Sequence, residues 1–295
     1  MKSKTHFEEH QKKKWSAAPY LFLLPFIITY LGTFLFPAVY SLVLSFFKYK
    51  GYGEAKFIGL KNYGSLLTYQ TMWKCLYNTF FYFILSYIPT MIIAFLLAVL
   101  VRSKSLKKYQ RIYKPIVFMP QICAVVASSL IFQIIFGGEV GVINQLFNTR
   151  IPFLTDLNYM KWPVVALITW RGIGWYFIIF LAGLTTVSEE VEEAALVDGA
   201  TPFQKMIYVI IPLMKPTFML TSITYAIGSL KLYTEPNILL SRTEAPLQVA
   251  PYINIVTSNV NGGNFGMAAA AGWLLVLLIL FLTVLQMKFF GGDDE

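Results

Sequence analysis

The sequence predicts an all-α, polytopic membrane protein with six transmembrane helices. Three observations lead there. Hydrophobic residues make up 57% of the 295-residue chain, where a soluble domain carries roughly 45–50%. Several apolar runs reach the roughly 20 residues that a helix needs to cross a hydrocarbon core about 30 Å thick. These runs are continuous, as in "GWLLVLLILFLTVL" at 272–285, whereas the strands of a β-barrel alternate over about ten residues.

The six spans are read at 17–47, 76–101, 115–136, 162–187, 212–233 and 266–290, with tails at 1–16 and 291–295. The first run is too long for the h-region of a cleaved signal, about 7–15 residues, and is therefore a span. Orientation follows from the basic residues near the span ends. Lys2, Lys4, Lys12, Lys13 and Lys14 precede span one, and Arg102, Lys104, Lys107, Lys108, Arg111 and Lys114 follow span two. An even number of spans puts both segments, and both termini, on the cytoplasmic side. Lys48, Lys50, Lys56, Lys61 and Lys74 lie on the outside and oppose this bias without outweighing it. The formal charge of +9 thus reports topology and implies no nucleic-acid partner, because the basic residues are scattered over loops on both faces. Cys75 and Cys123 show no metal-ligand spacing and read as small apolar packing residues. His6 and His10 both sit in the tail, which excludes a histidine-based triad or zinc site within the membrane.

One segment interrupts the apolar pattern. Residues 189–198 hold five carboxylates, Glu189, Glu190, Glu192, Glu193 and Asp198. Ser188 can cap a helix whose first turn places Glu189 and Glu190 at the positive end of its dipole. Gly199 can end that helix in a positive-φ conformation. "TPFQ" then restarts it, with Thr201 as cap, Pro202 at the first helical position and Gln204 as the capping-box partner. The insert therefore reads as helix, turn, helix on the cytoplasmic side. Its small residues, Ala194, Ala195, Gly199 and Ala200, suit close approach by another protein; a solvated connector is the alternative.

"EAALVDGATPFQKMIYVIIP" at 193–212 resembles the EAA loop of ABC-importer permeases. That pattern is Glu-Ala-Ala, three residues, Gly, nine residues and Ile-x-Leu-Pro. Glu193, Ala194, Ala195, Gly199 and Pro212 match in register, while Val209 and Ile211 replace the Ile and Leu. "FIGLKNYGSLL" at 57–67, "YNTFFYF" at 77–83 and "FLAGLTTVSEEVEEAALVDGA" at 180–200 are similar to the carbohydrate-uptake, maltose-permease-like members of this group. The group consists of the inner-membrane components of binding-protein-dependent transport systems. The resemblance implies the type I importer permease fold. It also implies that 188–212 is a coupling loop in which Glu193, Ala194, Ala195, Asp198, Gly199, Ala200 and Pro212 meet a cytoplasmic ATPase dimer. A second homologous permease subunit and an extracytoplasmic sugar-binding protein complete the implied assembly, in a prokaryotic cytoplasmic membrane.

The chain carries no G-x-x-x-x-G-K-[ST] loop. It is therefore expected to be no enzyme, with ATP and Mg held by the partner ATPase and no cofactor or metal of its own. An ion-coupled sugar carrier is the rival reading, as is an ABC permease for a non-sugar solute. Against ion coupling, no Asp or Glu falls well inside the six spans.

A sugar path needs aromatic faces and hydrogen-bonding groups together. "TWRGIGWYF" at 169–177 supplies Trp170, Arg171 and Trp175. Arg171 stands about 12 Å into span four at 1.5 Å per residue, deep enough to be a functional candidate. A structural pair with Glu235 or Glu139 is equally open. Tyr225, Ser229 and Tyr233 recur every fourth residue, one helix face, and Glu235 follows; packing alone also accounts for these tyrosines. Gln133 is expected to bond between helices, and Gly266, Ala268, Ala270 and Gly272 to bring span six close to a neighbour.

Overall fold

The computed structural model describes residues 18–103, 109–240 and 248–291. The tail at 1–16, Lys104, Lys107, Lys108 and residues 292–295 lie outside them.

In chain order, α1 (Ala18–Tyr30), a π-helical turn (Leu31–Leu35) and α2 (Phe36–Leu44) make the first span. A short antiparallel hairpin follows, with Phe47 of β1 (Phe47–Lys48) opposite Phe57 of β2 (Lys56–Phe57). Next come α3 (Lys61–Thr68), α4 (Gln70–Arg102), α5 (Gln110–Ile122), α6 (Val125–Ile135), α7 (Val142–Leu146) and α8 (Lys161–Leu184). The acidic insert holds α9 (Glu189–Val197) and α10 (Pro202–Lys205), and a second π turn leads into α11 (Ile211–Leu213) and α12 (Lys215–Leu230). The described chain closes with α13 (Thr234–Leu239), α14 (Ile253–Asn261) and α15 (Phe265–Gly291).

Among the described residues, four helices are individually long and apolar enough to cross a membrane: the first span, α4, α8 and α15. The expected spans at 115–136 and 212–233 are instead bent pairs. The angle is 90° between α5 and α6, and 68° between the α10–α11 segment and α12. At the first bend Cys123 and Ala124 are extended, with ψ 134° and 135°, so α5 stops short. At the second, Met214 leaves the helical region two residues before Pro216, which has no N–H to continue the ladder back to the Pro212 carbonyl. Pro25 and Pro89, by contrast, sit inside the continuous helices α1 and α4.

One helix organises the core. α4 contributes Met91, Ala94, Phe95, Ala98 and Val101 to a cluster with Phe177, Phe180 and Leu184 of α8 and with Met214. Further along, its Tyr82 joins Phe132, Val164 and Val249, and its Met72 and Cys75 join Leu230, Tyr252 and Leu275. α4 is thus a spine roughly 50 Å long, at 1.5 Å rise per residue, against which the other helices assemble. Close approach of α15 follows from Gly266, where a Cβ would sit 1.9 Å from the Phe47 carbonyl, and from buried Ala268 and Ala270. A Cβ on Gly272 would meet nothing within 4 Å, so no close approach requires a glycine there.

Irregular backbone in such a protein must be satisfied by side chains, since lipid offers no hydrogen bonds. Asn78 donates to the carbonyls of Gln248 (2.7 Å) and Ala250 (3.0 Å), and Tyr82 donates to that of Val249 (2.7 Å). Thr79 accepts from the Tyr252 amide. "YNTFFYF" therefore works as a row of staples that fixes segment 248–252 to α4. Tyr252 in turn donates to the Ala271 carbonyl at 3.0 Å, and burial pushes its phenol pKa up, keeping it a donor. Gln133 bonds across to the Ile238 and Leu239 carbonyls, as its place in span three predicts.

Candidate functional site

The insert folds as its caps dictate. Ser188 Oγ accepts from the Val191 amide, and Glu189, Glu190 and Glu192 occupy the first turn of α9. At the other end Gly199 has φ +85°. Its amide reaches the Leu196 carbonyl (3.1 Å), and the Ala200 amide reaches that of Ala195 (3.0 Å). This is the Schellman arrangement, which requires a left-handed residue at this position. Thr201 and Gln204 then form a reciprocal capping box, with 2.9 Å from the Thr201 amide to Gln204 Oε1 and 3.3 Å for the return bond.

The structure brings most of the sequence-selected loop residues together on one exposed elbow. Glu193, Ala194, Asp198, Gly199 and Pro212 are exposed, and Ala195 and Ala200 are half-buried. Sequence reasoning misses two things here. The elbow also presents large apolar side chains, with Val197 87%, Phe203 73% and Tyr208 74% exposed. The other is Glu192. Its Oε1 lies 2.7 Å from Arg102 Nη1, a close charge contact without hydrogen-bond alignment, and its Oε2 accepts from Lys205 Nζ at 2.8 Å. Arg102 Nη2 also donates to the Val187 carbonyl at 2.9 Å. The only sequence signal was an acid between two cations of distant segments, which is too common to single out.

Within the membrane part the selected residues divide into three groups. Arg171 is buried, at 8% exposure, and its Nη1 donates to the Cys123 carbonyl (2.7 Å) and Ser128 Oγ (3.1 Å). It therefore binds the broken elbow between α5 and α6, and not Glu139 or Glu235. One turn on, Gly174 lets α8 touch α5, since a Cβ there would stand 2.7 Å from the Val117 carbonyl. Trp170 and Trp175 are exposed, with Trp170 also packing on Phe132 at 5.6 Å between ring centroids.

Tyr225 and Ser229 are buried on α12. Tyr225 donates to Ser86 of α4 at 2.6 Å and packs against Tyr87 and Tyr176 at 5.4 and 5.2 Å. The expected continuous face through Tyr233 does not form, because α12 ends at Leu230. Tyr233 is instead the exposed residue preceding α13, and half-buried Glu235 lies in that helix's first turn.

Apolar spans, two of them broken, joined by a capped polar elbow, define a polytopic membrane domain. The match to known proteins makes the class specific. Residues 76–290 match the family described as "Binding-protein-dependent transport system inner membrane component", and the chain belongs to that family. It is 30% identical to the arabinooligosaccharides transport system permease protein AraP of Bacillus subtilis (strain 168), over 94% of this chain and 89% of that protein. It is 29% identical to the lactose transport system permease protein LacF of Rhizobium radiobacter, over 93% and 94% of the two chains. Its fold is that of a chain in the crystal structure of a bacterial alginate ABC transporter in complex with an alginate pentasaccharide-bound periplasmic protein. The TM-score there is 0.77 at 24% identity, covering 92% of this chain and 93% of that one.

Proposed function

We propose that this permease subunit imports a sugar or oligosaccharide, driven by ATP hydrolysis on a separate cytoplasmic ATPase dimer that holds ATP and Mg. A second homologous permease subunit and an extracytoplasmic sugar-binding protein complete the assembly, and the chain's termini lie in the cytoplasm. The carrying observation is the elbow at 188–212. Its turn is locked at both ends by caps, while Glu193, Asp198, Val197 and Phe203 face outward. Such a surface combines charge for orientation with apolar area for docking, which suits a socket in another protein. The sugar assignment is supported by the substrates named for the two relatives.

The exposed faces of Trp170, Trp175 and Tyr233 are the groups we assign to the sugar path. Arg171, Tyr225, Ser229 and Glu235 shape its walls from behind. Replacing both Glu193 and Gly199 by alanine in the reconstituted transporter should abolish ATP-dependent sugar uptake. Unchanged uptake, or uptake that survives ATP depletion while a proton gradient stands, would overturn the reading.

A further inference from the structure

α9 has no buried residue, and neither has α10. Apolar packing therefore does not fix α9 to the membrane domain; the elbow's apolar anchors, Met206 and Ile210, come only after α10, and a contact of another kind must carry force from α9 itself. Glu192 is the residue placed to do so. Its two carboxylate oxygens engage cations from two other helices, Arg102 in the last turn of α4 and Lys205 in the last turn of α10. Arg102 also sits at the negative dipole end of α4, and Glu192 at the positive end of α9. All three side chains are less than a quarter exposed, so water and salt screen the contacts less than they screen a surface pair.

Arg102 is doubly held, because its second nitrogen bonds the Val187 carbonyl just beyond α8. Next to it, Val101 and Val187 are buried in the cluster that locks α4 to α8. A displacement of Glu192 is thereby transferred to the end of the spine helix. It cannot be absorbed by a loose loop at that point.

We propose that the Arg102–Glu192–Lys205 bridge is the mechanical link between the elbow and the spine, with Glu192 a positioning residue that converts movement of α9 into movement of α4. The proposal rests on the coupling reading above. Physical coupling between sites is expected where a contiguous, packed connection exists, and α4 extends that connection through all three buried clusters.

The test uses the complete transporter reconstituted in vesicles, with sugar uptake and ATP hydrolysis measured together. Glu192→Gln keeps the side chain's size and removes its charge. The assembled complex and its hydrolysis should persist while sugar imported per ATP falls roughly 5-fold or more, the lower end of ordinary coupling between sites. An unchanged ratio in Glu192→Gln overturns the link, and so does a loss of assembly with a normal ratio in the complexes that remain. Should Glu192→Gln yield no complex, Lys205→Gln reads the same link: a lowered ratio supports it and an unchanged one overturns it. If the Glu193 and Gly199 double variant uncouples while Glu192→Gln does not, the link alone fails. If neither uncouples, the coupling reading itself fails.

Discussion

A guanidinium buried within a membrane helix needs acceptors, and Arg171 finds them in the Cys123 carbonyl and the Ser128 hydroxyl. The carbonyl is unpaired by the helix break, so the arginine supplies a donor where the backbone lost one. Replacing Arg171 by alanine should lower stability by about 2 kcal/mol, the usual range for a hydrogen bond to a charged group, read as earlier thermal unfolding in detergent. The concentration of sugar at half-maximal uptake should stay the same. A shift in that concentration with unaltered unfolding would instead put Arg171 in contact with substrate. The sequence makes Arg171 conspicuous through its depth alone. Its partner was not legible, because a carbonyl freed by a bend leaves no trace in residue types. Tyr225 shows the same limit: its four-residue spacing to Ser229 is visible, whereas the pairing with Ser86 depends on how α12 meets α4.

Elements whose causes are local were legible almost residue by residue. Caps, turn glycine and capping box all act within five positions, and each forms where the sequence places it. The bends at Cys123 and Met214 were less so: Pro120 and Pro216 stand near them, but Pro25 and Pro89 sit inside continuous helices, so proline alone does not mark which span breaks. The elbow's stiffness should follow from its caps. Thr201→Ala removes the acceptor for the Gln204 amide, and loss of such a cap costs about 1 kcal/mol. With the cap at the very start of the 202–213 helical segment, that loss is enough to let its first turn fray. Hydrogen exchange at residues 201–206 should accelerate roughly 5-fold, the equivalent of that energy when the opening equilibrium governs exchange, while α8 exchanges as before. Equal exchange in variant and parent would mean that tertiary contacts, not the box, hold the turn.

The topology of the whole molecule depends on α5 and α6 together crossing the bilayer. At 1.5 Å per residue they are roughly 20 and 16 Å long, so neither alone spans a core of about 30 Å, and they meet at 90°. If the pair crosses, α4, the pair and α8 make three crossings between the hairpin at 47–57 and the elbow, which then lie on opposite sides of the membrane. If the pair enters and returns, only α4 and α8 cross and the two lie on the same side. Two exposed probes separate these cases, Tyr52 in the hairpin at 77% and Val197 in the elbow at 87% exposure. In a background where Cys75 and Cys123 are serine, Tyr52→Cys should react with a membrane-impermeant maleimide in intact cells. Val197→Cys should react only after the membrane is opened. The Arg102–Glu192 contact requires this arrangement, because the end of α4 meets the elbow only if the pair crosses, and Arg111 and Lys114 then lie on that same side. Labelling of both positions from outside would make α5–α6 re-entrant, break the Arg102–Glu192 contact and move the elbow away from any cytoplasmic motor.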